Sequence, residues 1–180
     1  MLLPTSFEVG VWLHGPRPDT DTTGETVYAL QPGIVRYGVV NDGMFAAVRG
    51  PFGPDEIVAT ADDLLRALLI VRNQLPAGWL VLVQGARRDA WHSTENYPCG
   101  PDQARLHPEL DQPPADEPVS VVAPLAEDEL ALVATAREQF AYRQEWAGEG
   151  SLWSRLRSAN DERPAPGARS GTYCSKDTNV

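Results

Sequence analysis

The pattern that most constrains the fold lies between residues 60 and 78. Ala61, Leu64, Leu65, Leu68, Val71 and Leu75 recur at the three- and four-residue spacing of one helix face, and Pro76 with Gly78 stops the run. Thr60 is the predicted N-cap, with Asp62 and Asp63 favouring the positive end of the helix dipole. A helix with a single apolar stripe must bury it against another element, and the segments on both sides read as strands.

Phe7-Glu8-Val9-Gly10-Val11-Trp12-Leu13 alternates with period two and predicts a strand. Residues 26–31 predict a second. Residues 34–40 and 44–49 flank Asn41-Asp42-Gly43, which tolerates the positive φ of a hairpin turn. The Gly-Pro-Phe-Gly-Pro run at 50–54 breaks the sheet pattern. After the helix, Trp79-Leu80-Val81-Leu82-Val83 has no alternation, which predicts a central strand buried on both faces. Residues 119–123 predict a short strand. Pro124 then opens a second helix, with Glu127, Asp128 and Glu129 in its first turn and Leu130, Val133, Ala134, Phe140 and Ala141 on its apolar side, running to Trp146. Ser151 is placed to cap a short third helix.

These elements give an α+β fold: a mostly antiparallel sheet of four to six strands with two main helices on one face. The domain is expected to span residues 1–158, followed by a disordered tail at 159–180 that has no apolar face. At 180 residues and 42% apolar side chains, one domain of ordinary size with a real core is the reading.

Residues 85–118 show no periodicity and are expected to form a long irregular loop. Structureless connections beyond about 12–15 residues are uncommon and are usually functional or disordered. The first half gathers Arg87, Arg88, Asp89, Trp91, His92, Tyr97 and Cys99.

The formal charge is −10, and residues 1–110 and 111–180 carry −5 each. Neither half offers a basic patch, which argues against nucleic acid and anionic membranes and leaves a basic protein as the electrostatic match. Fourteen of the 15 basic residues are Arg, and with 16 Pro this looks like the codon bias of a GC-rich, bacterial genome. The N-terminus shows no signal-peptide pattern and no apolar run reaches the roughly 18–20 residues of a membrane span, so the expected location is the cytoplasm. Two cysteines make no disulfide framework.

Cys99, His92 and Asp89 are the residue types of a thiol nucleophile, its base and an acceptor that orients the base. The competing reading is a surface loop with an incidental thiol. A metal site would need His92, Cys99, His107 and Cys174, but their spacing matches no compact zinc pattern, and neither metal nor cofactor is expected. Arg87, Arg88, Trp91 and Tyr97 are types enriched at interface hot spots, with packing of the loop onto the sheet as the equal competitor. Trp12 and Trp79 are assigned to the core. Ser, Thr and Cys within 168–180 would suit the core of a modified-peptide precursor.

The favoured function is a non-catalytic cytoplasmic module that binds another protein, of inhibitor, immunity or accessory type, through residues 85–100. The rivals are an enzyme using Cys99 with His92, and the peptide precursor.

Overall fold

The computed structural model describes residues 6–17, 25–92, 98–110 and 112–147. The fold is α+β. Five antiparallel strands form a curled sheet: β1 (Ser6–Pro16), β2 (Tyr28–Val40), β3 (Gly43–Arg49), β4 (Ile57–Ala61) and β5 (Leu80–Leu82), in the order β4-β3-β2-β1-β5. The hairpin between β2 and β3 turns at Asn41-Asp42, with Val40 opposite Gly43 and Asn41 at φ 50°.

β2 runs unbroken from Tyr28 to Val40, one long strand in place of the two expected at 26–31 and 34–40. Pro32 lies beyond the last residue that β3 pairs, Ile34, so β2 has a neighbour on one side only there and a missing N–H is tolerated. Residues 57–61 are the other departure. They pair with β3 as β4, with Thr60 opposite Phe45, and do not lead into the helix. The N-cap of α1 (Leu64–Gln74) is Asp63 instead of Thr60, its Oδ1 accepting the Arg66 N–H at 2.8 Å.

The inner face of the sheet and the apolar stripe of α1 make the core. Val11, Leu13, Val35, Ala46, Val48 and Val81 meet Leu64, Leu65, Leu68 and Val71, all buried. Each such side chain contributes about 1.5–3 kcal/mol by leaving water. Trp12 is not core. Period two gives the inner face to Val11 and Leu13, and Trp12, opposite Pro32, is left 55% exposed on the outer face. Trp79 is half-buried, edge-on to Phe52 at 5.4 Å.

β5 ends the sheet; it is not central. It is nonetheless buried, because the chain beyond it is covered: Val83 bridges Pro124, and the N–H groups of Gln84 and Gly85 donate to Ala123 O (2.9 Å) and Val121 O (2.8 Å).

Much of the stretch expected to be an irregular loop is ordered. It carries β6 (Ala90–Trp91) and β7 (Gln103–Leu106), which with β8 (Val119–Ser120) form a second antiparallel sheet in the order β6-β7-β8. The expected second helix is divided. A 3₁₀ helix at Glu127–Leu132 stops, and α2 (Ala136–Ala147) starts afresh. The break has a cause: Arg88 N–H donates to Leu132 O (2.8 Å) and Ala134 N–H to Ala86 O (3.1 Å), so this backbone pairs with the 86–88 segment. Thr135 then restarts the helix through a capping box, its Oγ1 accepting Glu138 N–H (3.2 Å) while Glu138 accepts Thr135 N–H (2.7 Å). Among the described residues no helix is long and apolar enough to cross a membrane. The expected third helix and the 159–180 tail lie outside the described residues.

Candidate functional site

After β5 the backbone makes a 3₁₀ turn, Gln84–Ala86, and then a tight turn over Arg87–Ala90, closed by Ala90 N–H donating to Arg87 O at 3.2 Å. Within this turn Arg87 and Asp89 are buried and Arg88 is exposed. Arg87 is 7% exposed and grips Asp89 through two bonds, Nε to Oδ1 at 2.9 Å and Nη2 to Oδ2 at 2.7 Å. Its Nη1 also donates to Glu129, which accepts from Gln84 Nε2 at 2.7 Å. Burial works against the Arg87 charge, yet Asp89 and Glu129 outweigh it and hold the guanidinium above its ordinary value.

This network fastens the 3₁₀ helix to the turn. It removes Arg87 from the accessible surface and leaves Asp89 occupied, so neither fills the role that the sequence suggested. Arg87 is not presented to a partner, and Asp89 does not orient His92.

Arg88 is exposed and lies over the Tyr142 ring at 5.8 Å. Together with Ala131, Val133, Ala134, Glu138, Ala141 and Glu145 they line an open groove of about 430 Å³ between the 3₁₀ helix Glu127–Leu132 and α2. The Tyr142 hydroxyl donates to His107 O at 2.7 Å, which fixes the ring. Burial raises the Tyr142 pKa, with Asp89 adding to it.

Trp91 is half-buried, facing Phe140 at 6.3 Å with the Arg143 guanidinium 5.7 Å from its ring. Structural packing therefore accounts for part of this residue, while Phe140 itself is 53% exposed. Tyr97 lies outside the described residues. Sequence reasoning missed Tyr142, Phe140 and Glu145. Phe140 belongs to the expected apolar side but is exposed, and α2 is so weakly amphipathic that its pattern marks neither Tyr142 nor Glu145.

His107 is 3% exposed, edge-on to Trp146 at 4.4 Å, and neither ring nitrogen has a hydrogen-bond partner. Burial, helped by Arg143, pushes its pKa down to about 4. The described residues hold no group of three or more His, Cys, Asp or Glu placed for a metal ion, and Cys174 lies outside them.

Cys99 and His92 do come together, with Sγ 3.9 Å from Nδ1. The carboxylate near the other ring nitrogen is Asp63, the α1 N-cap, with Oδ2 3.9 Å from Nε2. The turn carrying Cys99 is docked on α1 by Leu64 N–H, which donates to Pro101 O at 2.8 Å. Asp63 was legible in the sequence only as an acid near a helix start. No protein-family model matches the chain, and no curated protein matches it.

Proposed function

We propose that this protein is a non-catalytic, cytoplasmic protein-binding module of inhibitor, immunity or accessory type, and that its contact surface is the groove between the 3₁₀ helix and α2. The observation that carries the reading is the groove's make-up. Val133, Ala134, Ala141 and the Tyr142 ring share the lining with the Arg88 guanidinium and the carboxylates of Glu138 and Glu145, and Phe140 is exposed on the same helix.

The occupant that fits is a basic, partly apolar segment of another protein. Aliphatic groups of the segment cover Val133, Ala134 and Ala141, and its Lys or Arg side chains meet Glu138 and Glu145 on a chain of net charge −10. Tyr and Arg are types that act as interface anchors when water is excluded around them. Of the residues singled out in the sequence, Arg88 lines this groove, and Trp91 packs against Phe140 outside its lining.

The test measures affinity for a partner captured with the wild-type protein and then purified. Arg88→Ala and Tyr142→Ala should each weaken binding by about 2 kcal/mol, roughly thirtyfold. Glu145→Lys should slow association in low salt, while Cys99→Ser leaves affinity unchanged. A partner held equally tightly by all four variants would place the contact elsewhere.

A further inference from the structure

The juxtaposition of Cys99, His92 and Asp63 serves no purpose in the groove and is not explained by packing. We propose that it is a base-assisted thiol site whose substrate is hydrogen peroxide, with Cys99 as nucleophile, His92 as proton carrier and Asp63 as the positioning residue.

The imidazole lies between the other two groups, one ring nitrogen 3.9 Å from the thiol and the other 3.9 Å from the carboxylate. Asp63 Oδ2 lies 3.9 Å from Nε2 and 3.4 Å from Arg66 Nε, and with the ring proton on Nε2 the Nδ1 lone pair is left toward Sγ. Asp63 is nearly buried and already anchored by the Arg66 N–H, so its carboxylate is a fixed reference for the ring. The Cys99 turn is fixed as well. Leu64 N–H holds Pro101 O, Arg105 Nη2 donates to Pro98 O at 2.9 Å, and Gln103 N–H donates to Gly100 O at 3.1 Å. The thiol itself is half-buried, reachable by a small molecule, and directed at Gln103 O at 3.5 Å. A thiol–imidazole distance of 3.9 Å is in the range that tightens when substrate arrives.

The surroundings select the chemistry. Acyl transfer needs backbone donors for the developing oxyanion, and Gly100 N–H, next to the sulfur, is taken by Gln103 Oε1 at 2.8 Å. Peroxide needs only a thiolate and an acid for the leaving oxygen. The Cys99 proton passes to Nδ1 and Sγ attacks one peroxide oxygen. The S–O bond forms as the O–O bond breaks, and the departing hydroxide takes the proton back from Nδ1. Thiol and hydrogen peroxide thus become sulfenic acid and water, sulfur losing two electrons and peroxide gaining them. A second thiol attacking the sulfenic sulfur would release water and close a disulfide.

The charged groups around the pair are Asp62, Asp63 and Arg66 from the α1 side, and Asp102 and Arg105 from β7 and the turn before it.

The experiment uses the full chain with Cys174→Ser, so that Cys99 is the sole thiol. Hydrogen peroxide is added, the sulfenic acid is trapped with dimedone, and mass spectrometry gives the rate as a function of pH. Near pH 6.5 the folded protein should react at least roughly tenfold faster than the same chain unfolded in guanidinium. His92→Gln should abolish that advantage and shift the pH profile upward. Asp63→Asn, which keeps a good N-cap while removing the charge, should reduce it part-way. Circular dichroism verifies folding, and His92→Asn replaces the Gln variant should that one unfold. A folded thiol no faster than the unfolded one, or a folded His92 variant as fast as its parent, would overturn the proposal.

Discussion

Acid should unfold this protein through His107, and the size of the effect follows from where the ring sits. An imidazole that is 3% exposed, with no partner on either nitrogen and Arg143 nearby, resists protonation, so its pKa falls from 6.5 to about 4. In the unfolded chain the same ring takes a proton near pH 6.5. Between these values the unfolded state binds more protons than the folded one, so stability falls as pH falls; the loss starts near 6.5 and levels off below about 4. At about 1.36 kcal/mol per pKa unit the total is about 3 kcal/mol, a large part of the 5–15 kcal/mol typical of a folded domain.

His107→Phe removes the titration, keeps a ring edge-on to Trp146, and leaves the backbone carbonyl that accepts from Tyr142. Urea unfolding of both proteins across pH 7 to 4 isolates the term, because carboxylates such as Glu56 and Glu138, whose pKa values are lowered, are common to both and cancel in the difference. The variant's advantage should grow by about 3 kcal/mol over that range. Growth of less than about 1 kcal/mol would refute the buried, unpartnered imidazole.

Two further outcomes test the core and the α1–α2 junction. Leu68→Ala should cost about 2–5 kcal/mol by emptying space under α1, whereas Trp12→Thr, on the exposed outer face, should cost below about 1 kcal/mol in the same denaturant titration. Gln139→Leu should cost about 1–3 kcal/mol, because the buried Gln139 amide accepts from Arg72 at 2.5 Å and donates to Ala90 O at 2.6 Å; its loss leaves the Ala90 carbonyl unpaired, while the guanidinium keeps the carbonyls of Gly85, Ala86 and Ala134. A double-mutant cycle with Arg72→Met checks that the two residues are coupled.

The parts of the fold that the sequence made legible are those whose signal is long enough to repeat. The α1 stripe spans three turns, β1 alternates over seven residues, and Asn-Asp-Gly specifies its turn by the positive φ that Asn tolerates. The second sheet was hidden because strands of two and four residues cannot show alternation, and main-chain bonds such as His107 N–H to Asp89 O specify its pairing. The split before α2 was hidden for a related reason. Residues 124–146 suit a helix locally, but their backbone at 132–134 is claimed by residues 86–88, far away in sequence. β5 shows the same limit from another side: an unbroken apolar run reports burial, and burial came from the covering segment after Pro124 and not from a central place in the sheet.

The candidate sites divide along the same line. Cys99 and His92 were legible because they are seven residues apart on one segment, and the fold brings them to 3.9 Å. The third group was not. Asp89 was the natural choice by proximity in sequence, but the turn at 88–89 brings its carboxylate back onto Arg87, which takes it as a bidentate pair. Asp63 is 29 residues from His92, and its sequence context advertises only a helix start. It accepts the Arg66 N–H through Oδ1, while Oδ2 lies 3.4 Å from Arg66 Nε and 3.9 Å from the imidazole Nε2, so one buried carboxylate serves both the helix and the ring. That division of labour makes Asp63→Asn the most informative substitution in the protein. Capping survives the change and the charge does not, so an altered Cys99 pH profile at unchanged stability would assign the second job to Asp63 independently of the first.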